Sequence, residues 1–144
     1  MKINEKSPVL KSMKKLFRVL ILDDSREVSE RLANMLLELD GIEIVGQAEN
    51  SKTAMAMNRE LNPHAVVLDT RLPDETGIEV LKEIKKLNFD TKVIIFSNHS
   101  FPQYREKCLA LGADFYFDKA TEFEQVSRTI AQWVFGYSGT EMKP

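Results

Sequence analysis

The sequence predicts an α/β domain, a parallel sheet of five strands wound on both faces by five helices. Three observations carry that prediction. Apolar runs alternate five times with stretches of helical periodicity. The runs are largely continuous in their apolar residues, as strands covered on both faces are. The 144 residues, 43% of them hydrophobic, suit one domain with a sizeable core and leave no room for a second of similar size.

Each element has its own signal. FRVLIL (17–22) reads as a buried strand. Asp24-Ser25 then offers an N-cap, and Val28, Leu32, Met35, Leu36 and Leu39 follow at helical spacing until Asp40-Gly41 stops them. Ile42–Ala48 is the second strand. Ala54, Met57 and Leu61 mark the second helix, closed by Asn62-Pro63. HAVVLD (64–69) is the third strand, and Ile78, Val80, Leu81, Ile84 and Leu87 mark the third helix. KVIIFS (92–97) is the fourth strand. Pro102 sits where a first helical turn tolerates it, and a short fourth helix runs to Leu111-Gly112. ADFYF (113–117) is the fifth strand, and Phe123, Val126, Ile130 and Val134 mark the last helix. Right-handed crossovers leave few topologies for (βα)5, and the flavodoxin-like order 2-1-3-4-5 is the usual one.

Charge divides the chain. Residues 1–16 hold five Lys and one Glu and contain Ser7-Pro8, a flexible basic lead-in by composition or a segment that docks an anionic partner. The domain is expected over 17–136, with a short tail at 137–144. The net charge of -2 argues against direct nucleic-acid or membrane-surface binding. No apolar run reaches membrane-spanning length, and the N-terminus lacks the apolar core of a secretory signal. The one cysteine, Cys108, excludes an internal disulfide and a cysteine-cluster metal site. A cytoplasmic protein is expected.

Four strands finish in polar residues: Asp23-Asp24, Asp69, Ser97, and Asp118-Lys119 after the fifth. In the order 2-1-3-4-5 those strands are adjacent, and their carboxyl ends share the edge where open α/β sheets bind ligands. Singly, each Asp is ordinarily an N-cap, Ser97 a turn residue and Lys119 a solvated charge. Four strand ends agreeing favours one shared pocket. Clustered carboxylates repel and need a proton or a cation. Oxygen-only ligands suit Mg²⁺. An Asp carboxylate can act as a nucleophile and form an acyl phosphate, with a cation, Lys119 and the Ser97 hydroxyl at the phosphoryl oxygens.

VLILDD (19–24), VVLDTRLPDETG (66–77), VIIFS (93–97) and GADFYFDK (112–119) together resemble the CheY-like receiver domain of two-component response regulators, over about 17–136. Pro73 and Gly77 stand at that family's usual offsets from the acceptor. The resemblance implies that Asp69 is the phosphoacceptor. Asp23, Asp24, Asp69 and the Arg71 carbonyl would hold Mg²⁺, and Ser97 and Lys119 would contact the phosphoryl group. It implies Tyr116 as the switch aromatic, and Arg71 and His99 as the residues that tune phosphoryl loss. The implied donor is a sensor histidine kinase or phosphotransfer protein. The implied output is a protein contact, or a homodimer, through the face of the fourth helix, fifth strand and fifth helix. Three departures stand out: Asn98 replaces a small residue, Ala120 replaces a proline, so a cis bond there is not expected, and Arg71 and His99 are unusual choices at the rate-tuning positions. Cys108 is expected to be packed, and Trp133 to be edge packing or part of a partner surface.

The leading expectation is a stand-alone receiver that catalyses only its own phosphorylation and dephosphorylation. The alternatives are the receiver portion of a longer DNA-binding transcription regulator, and a degenerate receiver that works without phosphorylation. A phosphatase of the haloacid-dehalogenase kind needs a second Asp where Arg71 stands and is rejected. A cobalamin-binding domain of similar fold needs a His ligand two residues after a matching Asp, and this sequence has none there.

Overall fold

A computed structural model describes residues 15–72, 77–98 and 101–142. All but the last two residues of the expected lead-in, together with Pro73 and His99, lie outside the described residues. The elements alternate as β1 (Phe17–Leu22), α1 (Arg26–Leu36), β2 (Ile42–Ala48), α2 (Ser51–Leu61), β3 (Ala65–Leu68), α3 (Gly77–Leu87), β4 (Lys92–Ser97), α4 (Pro102–Ala110), β5 (Phe115–Asp118) and α5 (Phe123–Met142). The strands form one parallel sheet in the order β2-β1-β3-β4-β5.

Period two along the strands splits the core into two layers. Leu20, Leu22, Val66, Leu68, Val93 and Ile95 face α2, α3 and α4, where they meet Ala54, Leu81, Ile84 and Cys108. Val19, Ile21, Ala65, Val67, Ile94 and Phe96 face α1 and α5, where they meet Leu32, Leu36, Val126 and Ile130. The central strands are buried on both faces, which is why they read as continuous apolar runs.

The ends follow local chemistry. Ser25 Oγ accepts the Val28 N–H and starts α1, as expected. Asn50 caps α2 through Thr53 N–H, and Asn62 closes it in the left-handed region at φ 44°. Several boundaries differ from the sequence reading: the first helix ends at Leu36 rather than Leu39, the third strand covers Ala65–Leu68 rather than 64–69, and two differences are larger. The fifth strand is displaced toward its carboxyl end and includes Asp118, because the Asp114 carboxylate leaves the strand pattern to accept the Val93 N–H at 2.8 Å. The last helix continues past residue 136, the expected end of the domain, and its Tyr137 packs on Phe17 and His64 at ring distances of 5.8 and 4.8 Å. Cys108 is fully buried, and Trp133 packs at the sheet edge against Phe115 and Phe17.

Candidate functional site

Register brings the site together. Leu22 pairs with Leu68, so Asp23 and Asp69 leave the sheet side by side. Asp69 N–H donates to the Leu22 carbonyl at 2.9 Å and Asp23 N–H to the Ala48 carbonyl at 3.0 Å. Ser97 pairs with Asp118, and Lys119 N–H donates to the Ser97 carbonyl at 3.0 Å. Asp23, Asp24 and Asp69 each offer a carboxylate oxygen, all within 4.8 Å of one another. Asp23 and Asp69 are 3% and 6% exposed, while Asp24 faces solvent.

Lys119 answers the repulsion that such a cluster implies. Its Nζ lies 2.5 Å from Asp23 Oδ2 and 2.9 Å from Asp69 Oδ2. Burial pulls the ammonium down, but the two carboxylates outweigh it and hold its pKa above the usual lysine value. For Asp23 the balance is reversed. Burial raises its carboxyl, and the bonds from Lys119 and Ser25 N–H recover only part of that. The asymmetry follows from stoichiometry: one ammonium gains two partners, whereas Asp23 shares its ammonium with Asp69.

The Asp69 Oδ1 atom also accepts the Arg71 N–H at 3.2 Å. The Arg71 side chain is exposed beside it, as is Asn98 next to Ser97. Ala120 follows Lys119 through a trans peptide, and its N–H donates to Asp118 Oδ1 at 2.7 Å. The Gly77 N–H donates to the Thr70 carbonyl at 2.8 Å. A Cβ on Gly77 would lie 2.6 Å from both the Asp69 carbonyl oxygen and Thr70 Cα, so α3 can start this close to the acidic strand end only from a glycine.

Ser97 is 1% exposed, and its Oγ shares a 2.6 Å hydrogen bond with the Thr70 hydroxyl. Tyr116 is buried, 4% exposed. Its ring therefore already occupies the inward position, whereas the sequence reading left room for it to enter. Tyr116 also lines a cavity of about 360 Å³ with Pro102, Arg105, Asp118, Thr121 and Glu122. Thr70, whose hydroxyl meets Ser97, is the site residue that the sequence reading missed. Tyr104, one turn before the buried Cys108 on α4, packs against the same core layer.

The donor set is all oxygen and the carboxylates converge, which fits a hard divalent cation. The family model for the response regulator receiver domain matches residues 19–131. The chain belongs to the response regulator receiver domain family. It is 33% identical over 121 residues to a putative transcriptional regulator of Pseudomonas aeruginosa, covering 83% of this chain and 58% of that protein. It is 41% identical over 116 residues to a protein-glutamate methylesterase/protein-glutamine glutaminase of Trichodesmium erythraeum, covering 79% and 33%. The chain thus spans only part of the curated relatives it matches. Among solved structures, a LuxR-family DNA-binding response regulator from Staphylococcus aureus superposes with a TM-score of 0.76 at 31% identity, covering 83% of this chain and 99% of that one. The CheX–CheY–BeF3–Mg complex from Borrelia burgdorferi gives a TM-score of 0.74 at 26% identity, covering 81% and 87%. This receiver domain has the CheY-like fold, and no helix among its described residues is long and apolar enough to cross a membrane.

Proposed function

We propose that this receiver domain is a phosphoryl-operated switch with Asp69 as its acceptor. The observation that supports it best is the placement of Asp69. Its carboxylate is buried, paired with Lys119 at 2.9 Å and clustered with Asp23 and Asp24. An oxygen of Asp69 attacks the phosphorus of a phosphohistidine on a sensor kinase or phosphotransfer protein. The new O–P bond forms as the N–P bond breaks, and the imidazole nitrogen takes the electron pair.

Asp23, Asp24, Asp69 and the Arg71 carbonyl would hold Mg²⁺, which when bound neutralises phosphoryl charge. Lys119 adds a second cation, and Ser97 offers a hydroxyl donor at the neighbouring strand end. Arg71 and His99 govern how water reaches the acyl phosphate. The domain carries out only its own phosphoryl gain and loss. Its output is a contact with a partner or a second copy through α4, β5 and α5, switched by Ser97 and Tyr116 from inside the cytoplasm.

A second reading, that this is the receiver of a longer transcription regulator, is favoured by the 58% coverage of the Pseudomonas aeruginosa protein.

The test is incubation with a small phosphodonor and Mg²⁺. Mass spectrometry is expected to show one added phosphoryl group that hydroxylamine removes and that Asp69→Asn lacks. Label on any other residue, or label retained in Asp69→Asn, overturns the acceptor assignment.

A further inference from the structure

The amino edge of the sheet carries a titratable ring at a joint between strands. The Arg18 N–H, on β1, donates to His64 Nδ1 at 2.9 Å, and the His64 N–H donates back to the Arg18 carbonyl at 2.9 Å. One residue thus holds both polar backbone atoms of Arg18. The reason lies in the chain just before His64. A parallel ladder continued toward the amino end would offer the Arg18 N–H the carbonyl of Asn62. Asn62 instead turns into the left-handed region at φ 44° to close α2. The imidazole stands in for that backbone acceptor.

A backbone N–H can only donate, so Nδ1 must present its lone pair, and the ring is neutral with its proton on Nε2. A protonated imidazole carries an N–H on both nitrogens. Its Nδ1 proton would face the Arg18 N–H and leave both donors unsatisfied. Turning the ring over brings a C–H to the same place and recovers nothing.

The neighbours do not reverse this. His64 is half-buried between the rings of Phe17 at 5.2 Å and Tyr137 at 4.8 Å. Aromatic faces favour a cation, and Tyr137 adds no charge near neutral pH. His64 also lines a cavity of about 220 Å³ with Arg18, Asp90 and Lys92. Asp90 favours a charged ring and Lys92 opposes it, but both are exposed and screened. Arg18 opposes it from a half-buried position, fixed by the bond from its guanidinium to the Leu61 carbonyl. The two facing N–H groups therefore decide.

We propose that His64 is a pH-sensitive latch. Neutral, it joins β1 to β3 and seats Tyr137; protonated, it leaves the joint and frees the start of β1 and the Tyr137 end of α5. The unfolded chain takes up this proton near the ordinary ~6.5, and the folded one resists it. The latch therefore contributes fully above about pH 6.5, and its contribution is lost as pH falls below that value. Nothing in it depends on Asp69 as the acceptor.

The test is an NMR titration of the histidine rings in the whole chain, with His99→Gln to tell the two apart. His64 is expected to titrate below the ordinary ~6.5 and to carry its neutral-form proton on Nε2. A midpoint at or above that value, or a proton on Nδ1, overturns the proposal. Amide exchange then reads the joint itself. Protection of the Arg18 N–H, corrected for the intrinsic rate, is expected to fall at least about fivefold from pH 7.5 to pH 5. In His64→Asn the side-chain carbonyl accepts the same N–H without titrating, and the fall is expected to stay within about twofold. An equal fall in both proteins marks a general effect of acid and overturns the latch. If His64→Asn fails to fold, the wild type decides alone, and undiminished Arg18 protection at pH 5 overturns it.

Discussion

Asp23 carries a charge that the fold resists, while Lys119 carries one that it favours, although the two form one ion pair. The native state therefore holds the Asp23 proton to higher pH than the unfolded chain does. As pH rises from near 3.8 through the raised native value, ionising this group costs the metal-free protein stability. Lys119 works the other way: its contribution is present below 10.5 and lost as pH rises through its raised native value. Replacing Asp23 with Asn removes the resisted charge and leaves Lys119 paired with Asp69 at 2.9 Å. Metal-free Asp23→Asn is expected to melt about 2–6 °C above the wild type at pH 7, on the scale of ~1 kcal/mol for a domain of this size. The gap should narrow toward pH 4, as the wild-type carboxyl takes up its proton. Thermal scans at both values check this, and an Asn variant that melts at or below the wild type at pH 7 refutes it. The same residues show what the sequence could disclose. Asp23, Asp69, Ser97 and Lys119 were legible because each stands at the end of an apolar run, and parallel topology alone carries such ends to one edge. The Thr70 hydroxyl was not, since it meets Ser97 across 27 positions through side-chain direction, which no local pattern records.

Helix α4 is anchored more lightly than its neighbours. Of its nine residues only Cys108 is buried, whereas α3 buries Gly77, Ile78, Val80, Leu81 and Ile84. Its first turn has no side-chain cap bond and begins at Pro102. Phe101 and Leu109 are left exposed. With so little apolar area to hold it, α4 is the helix expected to open most readily. Amide hydrogen exchange measures this directly. The α4 amides are expected to exchange at least about tenfold faster than those of α3, a gap of some 1.4 kcal/mol or more in local opening. Equal protection in the two helices would contradict it. The fourth helix was legible from Pro102 and Leu111-Gly112, but its weak anchoring was not. That depends on which faces the sheet covers.

At the scale of the whole molecule the two edges of the sheet differ in kind. The carboxyl edge gathers charges and hydroxyls, and the opposite edge gathers rings. His64 joins three strands there: its N–H donates to the Arg18 carbonyl at 2.9 Å, its Nδ1 accepts the Arg18 N–H at 2.9 Å, and its carbonyl accepts the Lys92 N–H at 2.9 Å. Its ring stacks on Phe17 at 5.2 Å. Tyr137 closes that pair from α5, beyond residue 136, where periodicity in the apolar residues fades and a tail was expected. If Tyr137 belongs to the domain, Tyr137→Ala loses ring burial and aromatic contacts and destabilises the fold by about 1–3 kcal/mol. Because this cluster sits at the edge remote from Asp69, the folded variant should still accept phosphate at the wild-type rate. Chemical denaturation reads the first quantity and phosphodonor labelling well below the melting range reads the second. An unchanged denaturation midpoint would return the boundary to residue 136. A lower midpoint accompanied by slower labelling would mean that the aromatic edge and the acidic edge are coupled through β1 and β3, the strands that carry Phe17 and Asp23 on one side and adjoin His64 and Asp69 on the other.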